Sequence, residues 1–149
     1  MPTAPRLIQL WAIVTVVTSS ACADMLNPDT TAEPAVIIAL GDTARIVAPD
    51  TVARDTPFAV RFSTFGGGCV REVARTDVLV AGSTVEIRPF NERVNSNVCT
   101  DDLRRIEHVA SVRISTAGIA TLRVIGEQLG RTNGAPNARA ELVRTIVVR

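Results

Sequence analysis

The stretch Val70-Arg71-Glu72-Val73-Ala74-Arg75-Thr76-Asp77-Val78-Leu79-Val80-Ala81-Gly82-Ser83-Thr84-Val85-Glu86-Ile87-Arg88-Pro89 decides the fold. Its two halves are rich in β-branched residues, and Gly82-Ser83 between them is a two-residue hairpin turn with glycine in first place. That turn sets a register. Val80 then faces Val85 and Val78 faces Ile87 on one side of the ribbon, while Asp77 faces Arg88 on the other. Apolar meets apolar and opposite charges meet, each pair worth about 0.2–1 kcal/mol. The stretch therefore predicts strands over 70–81 and 84–89.

Working outward, the same signature repeats. Phe58, Val60 and Phe62 alternate with Ala59, Arg61 and Ser63, the period of a half-buried strand running to Phe65. Strands are expected over 36–40 and 44–48, split by Gly41-Asp42, with Pro49-Asp50-Thr51-Val52 as a turn. Further strands are expected over 106–115, 119–126 and 141–148, separated by Thr116-Ala117-Gly118 and by a long turn over 132–137. No window holds a 3.6-residue period for three turns, and no internal repeat is visible. Short apolar runs divided by turn residues predict an all-β antiparallel sandwich of about seven or eight strands over 36–149. Residues 22–149 fit one domain large enough to bury about two-thirds of its unfolded surface.

Two segments give this sandwich a resemblance. Pro49-Asp50-Thr51-Val52 followed by Thr56-Pro57-Phe58-Ala59-Val60-Arg61-Phe62, and later Ala117-Gly118-Ile119-Ala120-Thr121-Leu122-Arg123-Val124, look like the opening strand and the "A-G-x-a-x-l-x-v" corner of bacterial immunoglobulin-like domains. The similarity covers residues 44–148. It departs from antibody-type domains at Ala120, where a corner tyrosine would stand, and at Leu122, where a core cysteine would stand. The resemblance implies an immunoglobulin-like β-sandwich and no catalytic residues. With strands alternating in direction, Phe65, Gly66-Gly67-Gly68, Cys69, Phe90 and the loop holding Cys99 share one end of it.

The N-terminus addresses the compartment. Arg6 precedes an apolar run from Leu7 to Val17, then Thr18-Ser19-Ser20-Ala21-Cys22. A basic start, a short greasy stretch and small residues make a secretory signal helix over 1–21. The run is 11 residues long, against about 20 for a bilayer-spanning helix. Ser19-Ser20-Ala21-Cys22 resembles the lipobox of bacterial lipoproteins, with Ser19 where an aliphatic residue is usual. That resemblance implies that Cys22 is diacylated, becomes the new N-terminus and meets the lipid bilayer. The rival is Ala21-Cys22-Ala23, an A-x-A site that releases a soluble chain from Asp24. If Cys22 carries lipid, Cys69 and Cys99 remain as a pair, and in an oxidising compartment a disulfide is expected; the alternative is two unpaired buried thiols. Residues 23–35, with Pro28, Pro34 and three acids, read as a flexible tether after Cys22.

Charge and composition exclude more than they assign. All 16 basic residues are Arg, and losing residues 1–21 removes Arg6, leaving 15 against 15 acids. A near-neutral chain with interspersed charges is no nucleic-acid binder. Without lysine there is neither a phosphate-binding loop nor Schiff-base chemistry, so Gly66-Gly67-Gly68 reads as a flexible loop. His108 is the single histidine; it reads as a strand residue beside Glu107, with a hydrolase base as the alternative. Asp101-Asp102 point to opposite faces in an extended chain and read as a capped turn opening a short helix over 103–105, with calcium as the alternative. No metal or other cofactor is expected.

Phe65 and Phe90 fall off the parity of their core neighbours. They either form an apolar rim for an envelope protein partner or cap the core beneath the loops. The function expected is that of a non-enzymatic, lipid-anchored binding or structural module of a bacterial cell envelope. The alternatives are a secreted hydrolase using His108, or a proteinase inhibitor presenting residues 91–100 as an extended loop.

Overall fold

The computed structural model of the chain describes residues 29–38, 45–128 and 138–149. The signal segment, Cys22, the Gly41-Asp42 turn and the 132–137 turn lie outside the described residues. Among the described residues there is no helix, and eight strands run in the order β1 (Thr30–Pro34), β2 (Thr51–Val52), β3 (Phe58–Gly66), β4 (Val70–Ala81), β5 (Thr84–Val94), β6 (Arg104–Val112), β7 (Gly118–Gln128) and β8 (Ala138–Val148). The all-β expectation holds.

The hairpin register is the one read from the sequence: Val80 opposite Val85, Val78 opposite Ile87, Asp77 opposite Arg88. Gly82 takes φ +60°, and Ser83 is not among the described residues with positive φ, as expected of a hairpin turn with glycine first. Side chains of Val85 and Ile87 are fully buried, which fixes this register against a one-residue slip.

The strands form two layers. The larger has the order β1-β5-β7-β8-β2 with β4 on the other side of β5, and the smaller pairs β3 with β6. Two of the pairings are parallel, β5 with β7 and β2 with β8, so the sheets are mixed and not antiparallel throughout as expected. The reason lies in the hairpin. β5 points Val85, Ile87 and Asn91 inward, all buried, while β4 carries Arg71, Glu72, Arg75 and Asp77 and suits an edge. The second hairpin strand therefore takes the central place and lies alongside β7, running in the same direction.

Pro89 divides one side of β5. Residues 84–87 pair with β7 and residues 90–94 with β1. Pro89, which has no N–H to give, sits between the two ladders and accepts from the Ala35 amide at 3.0 Å. β1 occupies residues 30–34, so part of the segment read as a flexible tether is strand. Beyond it, Val36 bridges both Phe65 of β3 and Glu127 of β7. This crossing stitches the two layers at one end. At the other, Val47 pairs with Arg61 and β2 with the end of β8.

The core is what the alternation predicted. Val60 and Phe62 of β3, Ala110 and Val112 of β6, Leu122 and Val124 of β7, and Leu142 and Ile146 of β8 are buried in one cluster. Sequence parity alone orients each of these strands.

Candidate functional site

Two polar clusters among the described residues bear on a functional site. The first lies between the layers, where four strands each send one side chain inward: Thr64 from β3, Thr76 from β4, Asn91 from β5 and His108 from β6. His108 is 0% exposed. Its Nε2 lies 2.9 Å from Asn91 Oδ1 and 3.1 Å from Thr64 Oγ1. Its Nδ1 lies 2.9 Å from Thr76 Oγ1. One neutral tautomer satisfies all of them: Nε2–H donates to Asn91 Oδ1, and Nδ1 accepts from the Thr76 hydroxyl. The Thr64 hydroxyl also donates to Asn91 Oδ1 at 3.2 Å, and Asn91 Nδ2 donates to the Phe65 carbonyl at 3.5 Å. Phe62 stacks on the imidazole, with ring centroids 5.3 Å apart and planes 11° off parallel.

Burial pushes the His108 pKa down to about 4, only partly offset by the Glu107 charge. The ring is neutral at physiological pH and every nitrogen is engaged. A base in that state has no surface through which a substrate can reach it. The sequence reading put His108 on a strand beside Glu107, and it is a strand residue, but its partners lie across the core. Thr64, Thr76 and Asn91 were not singled out, although each lies on the inward parity of its strand. A polar residue at core parity must find a partner, and that signal was legible.

The second lies at the end where Cys69 and Cys99 are joined, with Cα atoms 5.1 Å apart. The bridge ties the β3–β4 turn to the segment between β5 and β6. Backbone bonds support it: the Val94 amide donates to the Cys69 carbonyl at 2.8 Å, and Val70 to Gly67 at 3.0 Å. Asp102 Oδ1 accepts from the Gly68 amide at 3.2 Å and from the Thr100 hydroxyl. The Thr100 hydroxyl first, and the Gly68 amide second, hold the Asp102 carboxyl below its ordinary range. Residues 100–103 form neither the expected turn nor a helix: they are irregular chain braced by Asp102, and Arg104 already belongs to β6.

The three glycines are not a flexible loop. A Cβ on Gly67 would stand 1.9 Å from the Asp102 carbonyl oxygen, so the turn closes only because that position is bare. Gly67→Ala is expected to cost about 2 kcal/mol or more, read as a lowered denaturation midpoint with an unchanged slope. An unaltered midpoint would show that the turn does not close on the 99–103 segment.

Beneath this turn opens a cleft of about 570 Å³. Val36, Phe65 and Val70 form apolar walls, while Glu33, Asp101, Asp102 and Glu127 add carboxylates and Arg93 a single cation. Among the described residues no three metal-ligating side chains converge.

Phe65 is 8% exposed and lines this cleft. Phe90 points to the opposite face of its sheet, beneath the Arg75 guanidinium 3.8 Å from its ring centre. The two rings are covered separately and do not make one rim. Of residues 91–100, Asn91–Val94 are strand, paired with β1 and β4. Residues 95–100 alone form an exposed loop, turned on itself by Ser96 Oγ, which bonds both the amide and the carbonyl of Val98.

No known protein family, curated protein or solved structure matches the chain.

Proposed function

We propose that the chain is an exported lipoprotein whose β-sandwich, immunoglobulin-like in plan, serves as a non-enzymatic structural or binding module on a bacterial envelope membrane. The observation that carries this reading is the use of the cysteines. Cys69 and Cys99 are consumed in a disulfide, which supports an oxidising compartment. The third cysteine, Cys22, is left directly after the small residues that follow the apolar run.

The immunoglobulin-like plan is supported by the β3–β6 pair as one layer and the adjacent β7 and β8 in the other, matching the B–E and F–G neighbours of such domains. The departure is β5, which lies beside β7 where the third strand of an immunoglobulin domain would lie.

The placement of His108 supports a role without hydrolysis, since that alternative needs an open pocket at the ring. The inhibitor alternative needs residues 91–100 extended and free, and four of them are locked in a sheet. A protein partner held jointly by Phe65 and Phe90 draws no support from two rings covered on different faces.

The full-length chain expressed in a bacterial host with a clickable palmitate analogue should take up label and sediment with membranes. The Cys22→Ser variant should lose both. Equal labelling of the two, or unlabelled wild-type protein in the soluble fraction, would sink the lipoprotein reading.

A further inference from the structure

The first described residues lie at the disulfide end. The Asn95 amide donates to the Asp29 carbonyl at 2.7 Å, and Thr30 opens β1 opposite Val94. Six residues lie between Cys22 and Asp29, and the seven steps that join them span at most about 25 Å when fully stretched. β4, which runs from Val70 beside the bridge to the hairpin turn, has 12 residues and is about 40 Å long. A lipid on Cys22 therefore cannot lie at the hairpin end.

The disulfide end also carries the apolar side chains such a position would use. Val98 is 83% exposed, Leu103 65% and Val94 39%, and all three flank the Cys69–Cys99 bridge in sequence or by backbone bonding. The nearby arginines at 71, 93, 104 and 105 are offset by Glu33, Glu72, Glu92, Asp101 and Asp102. A tip of mixed charge gains little from an anionic surface, so its attraction to lipid is mainly apolar.

Resting on the lipoprotein reading above, we propose that the disulfide-braced tip, led by Val98 and Leu103, seats on the lipid surface that holds Cys22. The domain then stands with the β4–β5 hairpin pointing away from the membrane. Three side chains are too few to hold a protein on a bilayer; the acyl chains supply residence, and the tip sets orientation. The bridge between Cys69 and Cys99 keeps the loop from folding away when it meets the headgroups.

The chain after its leader has no tryptophan, Trp11 being the single one, so an introduced tryptophan reports alone. Val98→Trp and Leu79→Trp both replace exposed aliphatic residues, one at each end of the domain. Each lipidated full-length product is to be reconstituted in phosphatidylethanolamine–phosphatidylglycerol vesicles with and without brominated acyl chains, its acylation checked by mass. The expected result is an emission loss of about twofold with a blue shift for Val98→Trp, as for a side chain at the headgroup–acyl boundary, and no change for Leu79→Trp. Replacing phosphatidylglycerol by phosphatidylcholine should leave the quenching unaltered. Acylated protein in which Val98→Trp escapes quenching, or in which both sites are quenched alike, overturns the orientation and leaves the anchor standing. Protein without acyl mass overturns the anchor, and the orientation with it.

Discussion

His108→Ala is expected to lower the stability of the domain by about 3–5 kcal/mol, from the cavity it leaves and the polar partners it strands. The buried Asn91 Oδ1 would lose its nearest donor and the half-buried Thr76 hydroxyl its acceptor. The asymmetry of buried hydrogen bonds makes this testable by a cycle. Replacing His108 and Asn91 together by leucine should cost less than the sum of the two single changes, because the double variant leaves fewer orphaned groups. Strict additivity would show that the contacts between them carry no energy.

The same network sets a pH dependence. The folded His108 titrates at about 4, the unfolded one near 6.5. Between those values the unfolded chain binds a proton that the folded chain refuses, so stability rises with pH across the window. Its contribution is complete above about pH 6.5, declines as the pH falls, and is gone below about pH 4; the whole is worth about 3–4 kcal/mol. Denaturant midpoints measured from pH 7 to pH 4 should fall in the wild type and fall less in His108→Leu. Parallel curves would place the ring in solvent.

The second large effect belongs to the bridge. Cys69 and Cys99 are 30 residues apart, and closing a loop of that length stabilises the native state by about 3.5 kcal/mol on the chain-entropy estimate. Cys69→Ser with Cys99→Ser should therefore shift unfolding by about that amount, and dithiothreitol should reproduce the shift in the wild type only. The loss should be concentrated at the tip. There the Gly68–Asp102 and Val94–Cys69 bonds should open to hydrogen exchange well before the β7–β8 ladder. A stability unchanged by reduction would mean that the bridge closes a segment already fixed by other contacts.

Much of this fold was legible because its strands obey a period of two. Phe58–Phe62, Ala110–Val112, Leu122–Val124 and the Val78–Ile87 register follow from alternation and from one glycine-first turn. Less legible was which strands become neighbours across the layer. The exchange of β4 for β5 beside β7 depends on how charge is divided between the two halves of a hairpin. It leaves no local mark except Pro89, which could have been read as a break between two ladders.

β1 was missed because Thr30–Pro34 is polar and proline-bearing; it is held by backbone bonds to β5 rather than by buried side chains. The glycine triplet was misread because composition cannot distinguish a loop that moves from one packed against a neighbouring carbonyl. The polar network was half visible. His108 and Asn91 occupy core parity, but their meeting requires the layers to be stacked.

The proposed function is that of an exported chain fastened by Cys22, its domain braced by the Cys69–Cys99 bridge. The direct test is the intact mass of the protein recovered from the membrane fraction of a bacterial host. The account predicts residues 22–149 carrying a thioether-linked diacylglycerol on Cys22 and lacking the two hydrogens lost to the Cys69–Cys99 bridge. An unmodified chain starting at Asp24, or one with both thiols reduced, would contradict it.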